Sequence, residues 1–231
     1  MFSSSLLRTY ISKQATKPVA SCIANPTRSV RFFAAASENM TPRIMDTIKQ
    51  DHRDLEAYYD KIINSTDPEE QTRFQNQFTW ELARHSHGEE LVVYPAFEKH
   101  LKDGHAMAEK DRGEHQTVKE ELKKFQNLHV SDPAFIPTIK ALMQDLAQHI
   151  KEEETHDLIK LEEALTAEES EGLSKQFGRM KALVPSRSHP SAPNKPPFET
   201  AVGLLMAPID HIADFFRKFP DNTVSPNPST K

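Results

Sequence analysis

Apolar residues recur at intervals of three and four between residues 41 and 183, which is the period of a helix that buries one face. The alternation of apolar and polar residues that is typical of strands is hard to find there. The recurring apolar residues form four stripes: Ile44, Ile48, Leu55, Tyr59 and Ile62; Phe74, Phe78, Leu82, Val92 and Ala96; Met107, Val118, Leu122 and Phe125; and Ile139, Leu142, Leu146 and Leu161.

Capping and turn residues bound each stripe. Thr41-Pro42 and Asp67-Pro68 are helix-start signals, and Asp103-Gly104 is a turn signal. The predicted helices cover about residues 42–64, 68–101, 105–128 and 132–165, the last one starting at Pro133 or at Pro137. Because short loops join neighbouring helices in antiparallel order, the pattern predicts an all-α, up-down-up-down four-helix bundle over residues 42–165.

Histidines and acids interrupt every stripe. They are His52; His85 and Glu89; Asp111 and His115; and His149 and Glu153. At 1.5 Å of rise per residue, they fall within one layer, about 10 to about 24 Å from one end of the bundle. Each buried polar group without a partner costs about 1–3 kcal/mol. Any one of these histidines could be an ordinary core residue, but the set, with its mirrored His/Glu pairs, predicts a metal site.

Nitrogen and carboxylate ligands without sulfur suit iron, and also Zn, Mn or Ni. Cys22 is the only cysteine and lies outside the bundle. Six or seven ligands are too many for one tetrahedral zinc and fit a two-metal centre better. A ferritin-like site is disfavoured, because it needs two Glu-x-x-His motifs and only residues 153–156 supply one.

These residues resemble the hemerythrin-like HHE cation-binding domain family. The matching motifs are Asp51-His52, His85-Ser-His-Gly-Glu89-Glu90 followed by Tyr94-Pro95, Glu114-His115, and His149-Ile-Lys-Glu152-Glu153-Glu154. The resemblance implies a four-helix bundle that holds two iron ions bridged by oxide or hydroxide, with Zn or Mn fitting less well. It implies that the nitrogen ligands are His52, His85, His115 and His149, and that the bridging carboxylates are Glu89 and Glu153.

The sequence departs from the family's oxygen carriers at one position. Asp111 stands where they have a fifth histidine, which puts reversible oxygen carriage in doubt. The spacing in those carriers would select Glu154 over Glu153, so both stay open as ligands. His156 is a candidate outer partner of a ligand, and the histidines that fall off the stripes are expected at the surface: His87, His100, His105 and His129.

Two glycines and one Tyr-Pro pair near the predicted ligands are unusual inside helices. Gly88 and Gly113 lie inside helices, where Gly costs about 1 kcal/mol relative to Ala. A close approach of backbones, a local bulge or plain surface tolerance would each explain them. Tyr94-Pro95 predicts a kink in the second helix, because Pro removes a backbone hydrogen bond.

Residues 1–37 differ in composition from the rest. They contain five Lys or Arg and many Ser and Ala, and no acid occurs before Glu38. This composition is typical of a mitochondrial transit peptide, so we expect the protein in the mitochondrial matrix after cleavage near Phe33/Ala34. A disordered polar tail is the alternative.

Residues 166–219 are predicted to form a C-terminal helical extension. A capping box at Thr166 starts a short helix to about Leu183, and the Pro-rich residues 185–197 should form an extended arm. A second amphipathic stretch is expected to pack back across the bundle, with a membrane-surface or partner-docking helix as the alternative; its apolar residues are Val202, Leu205, Ile209, Ile212 and Phe216. Residues 220–231 should be disordered.

Net charge and hydropathy argue against two classes of protein, those that bind nucleic acid and those that span a membrane. The net charge of −5 without a dense Lys/Arg cluster argues against nucleic acid as a partner. No apolar run reaches the ~18–20 residues of a transmembrane segment.

We expect a metal-binding protein that binds or senses iron, O2 or NO. A di-iron oxidase, peroxidase or nitric-oxide-handling enzyme is the second hypothesis, which the absence of a substrate-pocket signature makes less favoured. A metal-free helical adaptor with an unknown protein partner is the third.

Overall fold

The structure, a computed structural model, describes residues 41–192 and 198–221, and describes the side chains of these residues except those of residues 198–204. The α-helices in this part of the chain are α1 (Ile44–Asn64), α2 (Pro68–Gly88), α3 (Tyr94–His100), α4 (Gly104–Phe125), α5 (Phe135–Glu152), α6 (Leu158–Ala164), α7 (Ala167–Lys181) and α8 (Phe198–Asp214). Since these described residues form helices and no strands, the all-α prediction is confirmed.

Two short π-helical segments join pairs of α-helices into longer rods. Glu89–Val93 connects α2 to α3, and Glu153–Asp157 connects α5 to α6. These two rods, with α1 and α4, are the four long helices that the sequence predicts. Each of the four long helices packs against the next one in sequence. The last one, formed by α5 and α6, also contacts α1. A π segment precedes Pro95 at the predicted kink, and such segments are frequent at functional sites.

The start of α1 differs from the prediction. The helix begins at Ile44, two residues after Pro42, and no side chain at its N-cap position caps it. Instead, the backbone N–H of Ile44 donates to Ser170 Oγ at 3.0 Å, and that of Met45 donates to Glu162 Oε1 at 3.1 Å. Partners more than 100 residues away in sequence therefore satisfy the first turn, which a local signal cannot reveal.

The core has two apolar clusters, one on each side of the positions where histidines and acids interrupt the apolar stripes. His52 lies between Ile48 of one cluster and Leu55 of the other, and the corresponding breaks occur on α2, α4 and α5. One cluster includes Leu55, Phe78, Leu82, Val118, Phe125 and Leu146. The other includes Ile48, Val92, Phe97, Ala108, Leu158 and Phe177. The predicted polar layer thus lies between two separate apolar cores.

The C-terminal extension packs on the outside of the bundle. The helix α7 contacts α1, α2 and the Glu89–Val93 segment, and its capping box at Thr166 is present as predicted. Residues 184–188 are non-helical and buried. Ser188 Oγ donates to Lys119 O at 2.5 Å, and Arg187 Nη2 donates to Gln126 O at 3.0 Å. Residues 184–188, which include the start of the predicted extended arm, therefore form a strap bound to α4, whereas residues 193–197 of that arm lie outside the described residues.

The orientation of α8 corrects the sequence prediction. Leu205, Ile209, Ile212 and Phe216, which the pattern places against the bundle, are exposed, with 72% of Leu205 and 86% of Phe216 accessible. The opposite face is inward because Asp214 accepts a hydrogen bond from Ser186 Oγ at 2.5 Å and Asp210 accepts one from Arg187 N at 3.2 Å. The side chain of Val202 lies outside the described ones. Buried polar contacts therefore decide which face of α8 is inward.

Two of the sequence predictions concern the ends of the chain. The predicted transit peptide and residues 222–231 lie outside the described residues. Pro220, which the composition places in a disordered tail, is buried, and the neighbouring Phe219 carbonyl accepts a hydrogen bond from Arg73 Nη1 at 2.8 Å. In the part of the chain that the structure covers, no helix is long and apolar enough to cross a membrane.

The presence of glycine at the two positions near the predicted ligands has two different explanations. A Cβ at Gly88 would lie 2.6 Å from Cε2 of Phe177, which is fully buried, whereas a Cβ at Gly113 would meet nothing within 4 Å. Close packing by α7 explains Gly88, and surface tolerance is sufficient for Gly113.

Gly88→Ala is expected to destabilise the protein by about 1–3 kcal/mol, because Phe177 must move out of a close-packed site. Gly113→Ala is the matched control and should stabilise the protein by about 0.5–1 kcal/mol, since it only adds helix propensity. Urea unfolding measures both values. Equal effects of the two substitutions would contradict the packing explanation.

Candidate metal centre

The Glu89 carboxylate lies between histidines from two sides of the bundle. Its Oε1 is 3.1 Å from His85 Nε2, and its Oε2 is 3.3 Å from His115 Nε2. His115 Nε2 lies 3.1 Å from His149 Nε2, and His52 Nε2 lies 3.3 Å from Glu153 Oε2. The structure therefore brings together the six residues of the predicted set, and all six are buried.

Two groups of ligand atoms share one carboxylate. His52, His85 and Glu89 place one ligand atom each within 4.8 Å of one another, and Glu89, His115 and His149 do the same. A carboxylate has two oxygens, so Glu89 can face both groups at once. Each group could hold a metal cation, and His and carboxylate donors suit iron among other metals.

Buried polar atoms without hydrogen-bond partners mark the same place. Seven such atoms lie in this layer: His52 Nε2, His85 Nε2, Glu89 Oε1 and Oε2, Asp111 Oδ2, and Glu153 Oε1 and Oε2. A buried polar atom without a partner costs about 1–3 kcal/mol, and more if it is charged. A metal ion would satisfy these atoms, so the residues present fit the predicted cofactor.

Outer carboxylates orient the histidine rings. His52 Nδ1 lies 2.8 Å from Glu154 Oε1, and His149 Nδ1 lies 2.8 Å from Glu114 Oε2. His85 Nδ1 lies 3.2 Å from Asp51 Oδ2. Because an ionised carboxylate only accepts hydrogen bonds, the Nδ1 atoms donate, which leaves each Nε2 facing the centre.

The site repeats one motif across the two halves of the bundle. Asp51-His52 with His85-x3-Glu89-Glu90 corresponds to Glu114-His115 with His149-x3-Glu153-Glu154. In each half, the acid before the first histidine contacts the Nδ1 atom of the second histidine. The first Glu of each pair starts a π segment and is inward. The structure places Glu153 in the inward layer, and it places Glu154 between His52 and Arg53.

Positive side chains bind the outer carboxylates. Lys119 Nζ donates to Glu90 at 2.5 and 2.6 Å, and both side chains are buried. Lys181 binds Asp51 and Glu81. Lys110 and Arg53 perform the same role at Glu114 and Glu154 from half-exposed positions. The cations at Asp51 and Glu90 are the strongly buried ones.

The electrostatics of the site follow from burial and mutual attraction. Burial alone would lower the pKa of His85, but the Glu89 and Asp51 carboxylates outweigh it and raise that pKa to about 10. The pKa of His115 is raised to about 9, because Glu89 and Glu90 likewise outweigh burial. Burial opposes ionisation of Glu89, yet the adjacent histidines hold its pKa well below the usual range. The buried histidines and Glu89 therefore favour one another's charged forms.

Asp111 connects the layer to the surface. Its Oδ2 atom is buried without a partner, and burial together with the nearby Asp157 and Glu153 raises the pKa of this carboxyl to about 7. Asp111 also lines a cavity of about 530 Å³ together with Met107, Lys110, His156 and other residues. Asp111 also groups with Glu114 and His149, so it belongs both to the lining of this cavity and to the His115/His149 side of the site.

Two histidines differ from the sequence expectation. His87 is buried, and its Nδ1 lies 2.7 Å from Ala83 O. Burial and the Lys119 charge lower the pKa of His87 to about 4. His156 is exposed and contacts Thr155 instead of a ligand. The remaining off-stripe histidines agree with the surface expectation in two cases, His105 and His129, whereas His100 is half-buried.

Sequence reasoning misses three residues at the site. The Tyr94 hydroxyl lies 3.0 Å from His115 Nε2, although the sequence indicates Tyr94 only as part of a kink and of a family motif, and not as a neighbour of a ligand. The pattern of stripes does not single out Lys119 or Lys181. Lys119 follows His115 by one helical turn, which is a usable signal, whereas no local signal links Lys181 to Asp51, 130 residues away.

Comparison with known proteins identifies the family. The chain matches the hemerythrin HHE cation-binding domain over residues 43–161. The chain therefore belongs to this family and carries a cation-binding helical domain.

Individual relatives agree with this assignment. An uncharacterized hemerythrin-like protein of Schizosaccharomyces pombe is 53% identical over 195 residues, which cover 83% of this chain and 96% of the relative. A DNA nickase of Nostoc is 23% identical over 151 residues, which cover 65% of this chain and 42% of that protein. No solved structure matches.

Lys119→Met is expected to destabilise the metal-stripped protein by about 3–5 kcal/mol, because it leaves the buried Glu90 carboxylate without its cation. The double variant Lys119→Met/Glu90→Gln should recover part of this loss. Lys124→Met, at an exposed position of the same helix, is the control and should change stability little. Urea unfolding in a chelator tests all three. A double variant as unstable as Lys119→Met would contradict the pairing.

Proposed function

We propose that this protein binds two iron ions as a non-haem di-iron centre and uses them to bind or sense iron, O2 or NO. The observation that supports this most directly is the pair of buried ligand groups that share Glu89 and leave seven polar atoms without partners. In an ordinary polar core, most buried polar atoms of this kind have a hydrogen-bond partner.

Each residue has a specific role in the proposed site. His52 and His85 would hold one ion, and His115 and His149 would hold the other, while Glu89 would face both groups and Glu153 would supply a further carboxylate beside His52. The outer carboxylates keep the Nδ1 proton in place, so that each Nε2 lone pair faces inward. When bound, iron would supply a redox-active Lewis acid at which a small molecule can bind.

The cavity at Asp111 supports a small-molecule ligand. It leads from the surface to a buried carboxyl group beside the His115/His149 group. Tyr94 adds a hydroxyl group near His115 on the inner side. We do not propose reversible oxygen carriage, because Asp111 replaces the fifth histidine. Nucleic acid is not among the proposed partners either, since the chain has a net charge of −5 and no Lys/Arg cluster.

The deciding experiment measures metal content and the ultraviolet-visible spectrum of the purified protein. We expect about two irons per chain with charge-transfer bands of a bridged di-iron centre. His85→Ala should abolish metal binding and lower the melting temperature, because a ligand that binds only the folded state stabilises it. His129→Ala, at an exposed position, is the matched control and should change neither.

The outcomes separate the competing functions. A folded, metal-free protein that takes up no anaerobic Fe²⁺ would refute the proposal and favour the adaptor. Repeated O2 consumption with an electron donor would identify an oxidase, whereas a single reaction per centre is expected of a binding or sensing protein.

We also propose that the protein acts in the mitochondrial matrix, because residues 1–37 have the composition of a transit peptide. A fluorescent reporter that carries residues 1–37 should enter mitochondria and lose the segment near Phe33/Ala34. Replacing Arg8, Arg28 and Arg31 by Glu should abolish import, since targeting depends on positive charge. Import that is unaffected by these replacements, or a cytosolic reporter, would contradict the proposal.

A further inference from the structure

The family domain ends at residue 161, yet the next helix reaches the metal centre. The buried face of α7 consists of Ser170, Ser174, Phe177 and Lys181. Its first half anchors α1, where Ser174 Oγ lies 2.6 Å from Thr47 Oγ1. Its second half meets the residues around His85. The helix is thus attached along its whole length to the elements that carry the ligands.

Lys181 and His85 bind the same atom. Lys181 Nζ donates to Asp51 Oδ2, and the same oxygen lies 3.2 Å from His85 Nδ1. Lys181 also binds Glu81, one helical turn before His85 on α2. Both Lys181 and Glu81 are buried, so this pairing is screened little by solvent. Lys181 fixes Asp51 between two positive or donating groups.

Phe177 restrains the same histidine from the side. Its ring centroid is 6.0 Å from that of His85 at an interplanar angle of 81°. The ring also occupies the space where a Cβ of Gly88 would be. One turn separates Phe177 from Lys181, so the two side chains act on His85 from one face of α7.

The two halves of the site differ in this respect. The corresponding acid in the other half, Glu114, is held by Lys110 from α4 inside the bundle, and the Lys110 side chain is half-exposed. Only the His85 half, among the described residues, is fixed by a buried lysine from outside the four long helices. A partner that is buried restrains its carboxylate more strongly than one that is solvated.

We infer that α7 is part of the metal centre and that Lys181 is a positioning residue for His85, acting through Asp51. This inference rests on the proposed function. Lys181 holds Asp51 in the place where its carboxylate accepts a hydrogen bond from His85 Nδ1–H, and Phe177 limits rotation of the ring. The His85 Nε2 atom is thereby fixed toward Glu89, and the two ions are bound with different affinities.

The test uses the full-length chain, stripped of metal and titrated with anaerobic Fe²⁺ against a competing chelator. Co²⁺ titration adds a visible spectrum that reports ligand geometry. Lys181→Met should weaken one of the two binding steps by about 10–100-fold, the usual effect of losing an outer partner of a metal ligand. It should also shift the Co²⁺ bands and leave the other step within about threefold.

Three further variants make the test specific. Lys181→Arg retains the charge and should restore most of the affinity. Lys175→Met, at an exposed position of α7, should match the wild type. Asp51→Ala should weaken the same step as Lys181→Met, and the double variant should be no weaker than either single one, because both act through one contact. Asp51→Ala keeps the Lys181–Glu81 pair and serves if Lys181→Met does not fold.

The results distinguish this inference from the proposed function. A wild type that binds no metal refutes the proposed function and this inference with it. A wild type that binds two ions, with Lys181→Met and Asp51→Ala proteins that bind them with unchanged affinities and spectra, overturns only the inference. A lower unfolding midpoint with unaltered metal binding would show a structural role for Lys181 and would also overturn it.

Discussion

The structure depends on one constraint, which is that a layer of histidines and carboxylates is buried between two apolar cores. Each of the four long helices crosses this layer, and each contributes at least one polar residue to it. Such a layer is expensive, because every buried polar atom must find a partner. The helices, the π segments and the outer carboxylates are all arranged around satisfying it.

From the centre of this layer outward, the polar side chains alternate between hydrogen-bond donors or cations and carboxylates. The inward Nε2 and carboxylate atoms face each other, the Nδ1 atoms face outer carboxylates, and those carboxylates face Lys or Arg. The protein itself therefore orients the rings, without help from a bound ion. Pre-organisation of this kind is what a site needs to bind metal tightly without reorganising the protein.

The extension after the bundle changes the environment of one half of the site. The helix α7 packs on α2 and adds Phe177 and Lys181 beside His85, while Ser188 of the strap binds the backbone carbonyl of Lys119. In the other half, Asp111, which groups with Glu114 and His149, lines a cavity at the surface. The molecule thus has a covered side and an accessible side, a difference that the internal repeat of the motifs does not itself contain.

The sequence by itself determined the helices, their order and the inward layer. Periodic stripes and their interruptions are local properties, so the spacing of His52, His85, His115 and His149 is sufficient to assign them to one layer. Spacing is not sufficient for the roles of Glu153 and Glu154, because adjacent helical residues differ by about 100° in direction and only the π segment fixes which one is inward. The tertiary structure alone placed Lys181 on Asp51 and rotated the apolar face of α8 outward. Both depend on contacts between residues far apart in sequence, where buried charges and hydrogen bonds outweigh the hydrophobic pattern.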